Sequence, residues 1–120
     1  MAGTNAGLSV SGIELPEKLL VLGYESLMPV SNKTFTEPLI LPSTLKEIGG
    51  SCIQSLNLPE SQKYLVIPES VVNVGYGVFP ACTFDIQVAK EQYDKLEWQW
   101  LQEFKGNVYD KDGKLIASYK

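Results

Sequence analysis

The sequence predicts an α/β-type solenoid, a short coil of stacked units with a small parallel sheet along one side, closed by a C-terminal capping helix and hairpin. Three observations predict it. Pro16, Pro42 and Pro68 recur at one constant interval along the chain. Apolar positions keep the same step, as Ile13, Leu39, Leu65; Leu15, Leu41, Ile67; Leu19, Leu45, Val71; Leu22, Ile48, Val74; and Leu27, Ile53, Phe79, with Gly23, Gly49 and Gly75 beside them. Finally, no single unit of this size buries its own apolar residues, whereas stacking sets equivalent residues of successive units against one another.

Residues 1–12, "MAGTNAGLSVSG", are small and rich in glycine and serine, and read as a flexible N-terminal arm or docking strand. Units follow at 13–38, 39–64 and 65–88. Each opens with a short strand (13–15, 39–41, 65–67) that proline stops, because proline cannot donate to a sheet ladder. A brief turn with two apolar residues comes next, then a glycine suited to a tight corner at positive φ. "FDIQVA", residues 84–89, repeats the strand after a shortened step with Ala89 in the proline slot, so the array is expected to end there. In the cap, 89–120, "KEQYDKLEWQWLQEFK" places Tyr93, Leu96, Trp100 and Phe104 on one face of an amphipathic helix. "DKDG" between "NVY" and "KLI" then gives a hairpin with Gly113 at positive φ.

The units "LPSTLKEIGGSCI" and "IPESVVNVGYGVF" resemble the BspA-like class of leucine-rich repeats. That pattern is a strand, Ile-Pro, two variable residues, Val, two variable residues, Ile-Gly, and a small or aromatic pair. "LPEKLLVLGYESL" follows it more loosely, and the resemblance spans residues 13–88. It implies a right-handed coil, and for function surface adhesion and partner binding in general terms. It supplies no catalytic residues. This chain departs from the family in being short and in starting without an export signal.

At 120 residues the chain is one domain. Its net charge is −4, with ten lysines and no arginine, so it has no basic stripe for phosphates and no guanidinium for guanine edges. Nucleic acid is not an expected partner. The start has neither a basic n-region nor a long apolar run, so no secretory signal or membrane insertion is expected. The compartment is left open between cytoplasm, virion and a fragment of an exported surface protein.

Histidine is absent, which removes the usual general base and zinc ligand. Glu14, Glu17, Glu47 and Glu69 fall off the apolar ladders, where a solvated face explains them. "GGSC" lacks the lysine of a phosphate loop, and a calcium loop through "DKDG" would put Val108 at its first ligand position. Cys52 occupies the slot of Ser26 and Val78, and Cys82 that of Leu56, as small buried fillers. No catalytic residue, metal or cofactor is expected.

Neighbours in a strand point to opposite faces, so inward Leu39 and Leu41 send Ile40 outward. The outward set is then Glu14, Ile40, Val66 and Gln87, with Tyr64 and Asp85 two residues earlier on their strands. Ile40, Tyr64 and Val66 make an apolar patch of the kind that marks interaction sites. The expected partner-binding residues are Ile40, Tyr64, Val66 and Gln87, joined by Trp98, which lies off the helical stripe and suits an exposed anchor. The alternative is that the C-terminal helix or hairpin folds over this face. A second surface, an assembly edge, is expected at Ile13, Glu14 and Leu15, where a first strand leaves backbone groups unpaired. The expected function is a non-catalytic module presenting its strand face to a protein or glycan. The alternative is a structural component that self-assembles, as a homo-oligomer or on a larger particle such as a phage virion or surface layer.

Overall fold

The computed structural model describes residues 9–10, 15, 17–23, 34–52, 54–96 and 98–120. Ile13, Glu14, Pro16, Leu27 and Ile53 lie outside the described residues. The backbone repeatedly pairs residues that lie about one repeat step apart. Strands β2 (Val21–Leu22), β4 (Glu47–Ile48) and β6 (Asn73–Val74) form a parallel ladder, with Val21 beside Glu47 beside Asn73 and Leu22 beside Ile48 beside Val74. Leu22 and Ile48 are buried and Val21, Glu47 and Asn73 exposed, as period-two alternation requires. Pro42 and Pro68 each open a turn, their carbonyls accepting from Leu45 and Val71 at 3.1 Å. These turns aim Leu45 and Val71 into the core.

The glycine after this ladder is needed for a reason other than the expected one. Among the described residues, glycines at positive φ are Gly77 and Gly113, not Gly75. At Gly75 the constraint is close approach, since a Cβ there would overlap the Gly50 amide nitrogen. One on Gly50 would in turn lie 2.6 Å from the Tyr76 carbonyl oxygen. Two passes of backbone touch at this corner.

A second sheet holds β5 (Tyr64–Val66), β7 (Asp85–Gln87), β8 (Asn107–Tyr109) and β9 (Leu115–Ser118), in that order. The first three are parallel, with Leu65, Ile86 and Val108 in register and fully buried; β9 returns antiparallel to β8. The expected strand at 39–41 does not form. The Leu39 N–H donates to Gln62 Oε1 at 2.8 Å, and Gln62 Nε2 donates to the carbonyls of Leu39 at 2.9 Å and Tyr64 at 3.0 Å. A side-chain amide thus stands where a ladder of backbone bonds was expected.

Of the segment expected as a flexible arm or docking strand, residues 9–10 are described. Ser9–Val10 is a strand, β1, paired in parallel with β3 (Thr34–Phe35), and Thr34 bridges onward to Asn57. Residues 9–10 therefore extend a ladder rather than hang free.

The C-terminal region departs furthest from expectation. The helix expected through "KEQYDKLEWQWLQEFK" runs only from Lys90 to Lys95 (α1), because Leu96 turns extended at φ −81°, ψ 148°. A 3₁₀ helix, Trp98–Leu101, follows. The carbonyls of Gln99, Trp100 and Glu103 accept from Gly77, Val78 and Ala81 at 2.8–2.9 Å. A continuous α-helix to Lys105 would have used the Gln99 and Trp100 carbonyls internally. Backbone pairing continues past residue 88, since β8 joins β7 in parallel. Trp100 and Phe104 are buried and Tyr93 and Leu96 half-buried, so the apolar stripe is real but is delivered by three successive local structures. The hairpin turns at Gly113 (φ 83°), where Asp110 Oδ1 accepts from the Asp112 and Lys114 N–H groups at 2.9 and 2.8 Å. Tyr119 ties it down, 2.6 Å from the Tyr93 hydroxyl and edge-on to Phe104.

Cys52 and Cys82 sit in this core with no exposure, and burial pushes the Cys82 thiol up to about 12. Thiolate is the reactive form, so at pH 8 Cys82 is almost wholly protonated as well as inaccessible. We expect neither thiol to react with a chromogenic disulfide reagent at pH 8 until denaturant is added, when both should titrate. Rapid labelling of the native chain would contradict this placement.

Candidate functional site

Ile40, Tyr64 and Val66 come together in one groove of about 370 Å³, with Leu39, Leu41 and Pro68 forming its floor and sides. The sequence places them locally. Leu65 is buried at the centre of β5, so its neighbours Tyr64 and Val66 turn outward, and Ile40 does the same between buried Leu39 and Leu41. Ile40 is 69% exposed and Val66 42%, well above what a core aliphatic shows. Tyr64 is held half-buried, its ring 5.2 Å from that of Tyr109 and 5.2 Å from the Lys63 ammonium, in cation–π range. Gln62, pinned by its bonds to Leu39 and Tyr64, makes the back wall.

The other expected residues are not gathered with these three. Gln87 Nε2 donates to the Asp110 carbonyl at 3.2 Å, so this side chain is committed to the hairpin. Gly113 of the hairpin tip approaches the Tyr64 hydroxyl. The hairpin thus takes the Gln87 and Tyr109 half of the face and leaves the Ile40 and Val66 half open. Asp85 Oδ1 accepts the Asn107 N–H at 3.0 Å and is likewise engaged within the sheet. Trp98 opens the 3₁₀ helix, and its side chain is outside the described part. Of the assembly edge, Ile13 and Glu14 are outside the described residues, and Leu15 is half-buried against the core.

Sequence reasoning missed a second cleft of about 510 Å³. It lies between the turn at 69–72, helix α1 and the hairpin tip, with Val72 and Leu96 among charges of both signs such as Glu69, Lys95, Lys111 and Asp112. Gln92 Nε2 ties α1 to that turn by donating to the Pro68 and Val71 carbonyls at 2.8 and 2.9 Å. The three segments stand well apart in the sequence and no motif links them. The ion pair at its rim, Lys90 to Asp94 at 2.6 Å, is exposed and spans one helical turn, worth about 0.3–0.5 kcal/mol.

Among the described residues no three or more Cys, Asp or Glu side chains converge as a metal site. No helix among them is long and apolar enough to cross a membrane. Comparison with known proteins returns no matching family model, no matching curated protein and no matching solved structure.

Proposed function

We propose that the ladders are the stacked turns of a short leucine-rich-repeat solenoid, and that the chain is a non-catalytic binding module whose open groove takes an apolar segment of a protein partner. The observation that carries the reading is the placement of Ile40 and Val66, exposed side by side in a groove without a charged lining residue. A peptide side chain suits such a lining better than a glycan, whose hydroxyls require several convergent polar groups. Covering the area that Ile40 and Val66 still expose supplies roughly half of the 1.5–3 kcal/mol that full burial of each side chain gives.

The test is selection of a displayed peptide library against the wild-type chain. Selected peptides should share an aromatic or branched aliphatic anchor and should bind Ile40→Glu/Val66→Glu at least about tenfold more weakly, a loss of about 1.4 kcal/mol. Both positions are exposed, so the thermal midpoint of the double variant should stay near that of wild type. Peptides that bind both proteins equally would remove this groove from consideration.

A further inference from the structure

The groove is lined by two stretches of chain only, 39–43 and 62–68. They belong to successive units, and the repeat sets Leu39 beside Leu65 and Leu41 beside Ile67. One step further on, the same kind of pairing is complete. Tyr64–Val66 lies in register with Asp85–Gln87, and the Ile67 N–H donates to the Gln87 carbonyl at 2.9 Å. That bonding turns the backbone groups of Leu65 and Ile67 toward β7 and those of Tyr64 and Val66 toward 39–41. The matching bonds on this side would run from the Leu39 N–H to the Tyr64 carbonyl, from the Val66 N–H to the Leu39 carbonyl, and from the Leu41 N–H to the Val66 carbonyl. None of them forms. The Gln62 amide instead holds the Leu39 N–H, the Leu39 carbonyl and the Tyr64 carbonyl at 2.8–3.0 Å. Beyond it, Leu41 and Val66 have no backbone partner across the gap among the described residues. The corresponding place, two residues before β7, holds Thr83, whose single hydroxyl cannot bridge in this way, and there the ladder is unbroken.

We propose that Gln62 is the positioning residue of the groove: its amide is a wedge that parts 39–41 from β5, and the groove is the gap it keeps. A side-chain amide carries two donors and an acceptor in one plane, so it satisfies backbone groups that would otherwise bond one another. Without it, these part-buried groups would stand unpaired, and the cost of leaving them so drives the two segments together. Closure completes the ladder and turns the groove into a flat sheet face. Ile40 and Val66 still point outward there, but no recess lies between them. The consequence for peptide recognition rests on the function proposed above; the wedge itself does not.

Amide hydrogen exchange followed by NMR tests the wedge without any ligand. In the wild-type chain the Leu41 and Val66 amides should exchange about tenfold or more faster than those of Leu65 and Ile67, which face β7. In Gln62→Thr, which copies the residue of the neighbouring unit, the Leu41 and Val66 amides should slow about tenfold or more. Loss of a merely supporting contact would speed exchange there instead. Gln62→Asn, which keeps the amide but not its reach, should behave alike and stands in if the threonine variant fails to fold. Peptides selected on the wild-type groove should bind the closed variant about tenfold or more weakly, although Ile40 and Val66 are unchanged. Leu41 and Val66 amides as slow in wild type as those of Leu65 and Ile67, or amides that do not slow in the variants, would overturn the proposal. Slowed amides with unaltered peptide binding would uphold the wedge and refute the groove as the peptide site.

Discussion

Replacing Gly106 by alanine should cost about 3 kcal/mol or more, the upper end of what overpacking does in a well-filled interior. Gly106 is buried where β8 enters the sheet. A Cβ there would overlap the Phe84 carbonyl oxygen and lie 2.7 Å from Phe104 Cζ. A side chain can swing aside, but Phe84 leads directly into β7 and its carbonyl cannot move without shifting that strand. The Gly106 carbonyl also accepts the Tyr119 N–H, so displacement would loosen the hairpin as well. For a domain near this size the loss corresponds to a fall of about 10–20 °C in the thermal midpoint. Calorimetry and urea unfolding measure it, with Gly23→Ala as the contrast, because nothing among the described residues lies within 4 Å of a Cβ at Gly23. Equal, small effects at both positions would refute the close approach of β8 to the chain before β7.

Trp100→Ala should cost about 3–5 kcal/mol. Trp100 is the largest fully buried side chain among the described residues, at 1% exposure, with its ring edge-on to that of Tyr93 at 6.5 Å. Its carbonyl accepts the Val78 N–H, so the residue belongs both to the core and to the backbone bonding between passes. A helix laid loosely over the end of an array would lose much less on truncation, near the ~1 kcal/mol typical of point substitutions, so the measurement separates integral from appended packing. Trp100→Phe should recover a substantial part of the loss. Urea midpoints at unchanged m-value provide the reading.

The repeat step was legible because Leu22, Ile48 and Val74 occupy equivalent slots, and these three pair directly. The hairpin was legible because "DKDG" offers turn chemistry at one place only, and Gly113 has the positive φ that chemistry needs. What failed depended on groups that periodicity does not see. Nothing in the spacing of Leu39, Ile40 and Leu41 reveals that Gln62 will take up the Leu39 backbone. The apolar stripe of Tyr93, Leu96, Trp100 and Phe104 fits a helix, yet a helix would have taken up the carbonyls that Gly77 and Val78 use as acceptors. For the site, alternation along β5 sufficed to place Tyr64 and Val66, and Ile40 turns outward between buried Leu39 and Leu41, whereas the commitment of Gln87 to Asp110 depends on how the hairpin tip curls. The mixed-charge cleft was invisible because three remote segments build it.

The even spacing of the pairings bears on how the chain reaches this state. Ser9 with Thr34, Leu22 with Ile48, Leu65 with Ile86 and Ile86 with Val108 each close a loop of nearly the same length. Closure entropy grows only with the logarithm of loop length, so every one of these steps faces nearly the same barrier, and none waits on a contact between distant ends. In the solenoid proposed above, once two neighbouring passes are in place, the next docks on a finished surface, as teeth engage in a zipper. Growth from the middle in either direction, and fraying from the ends inward, follow from that arithmetic alone.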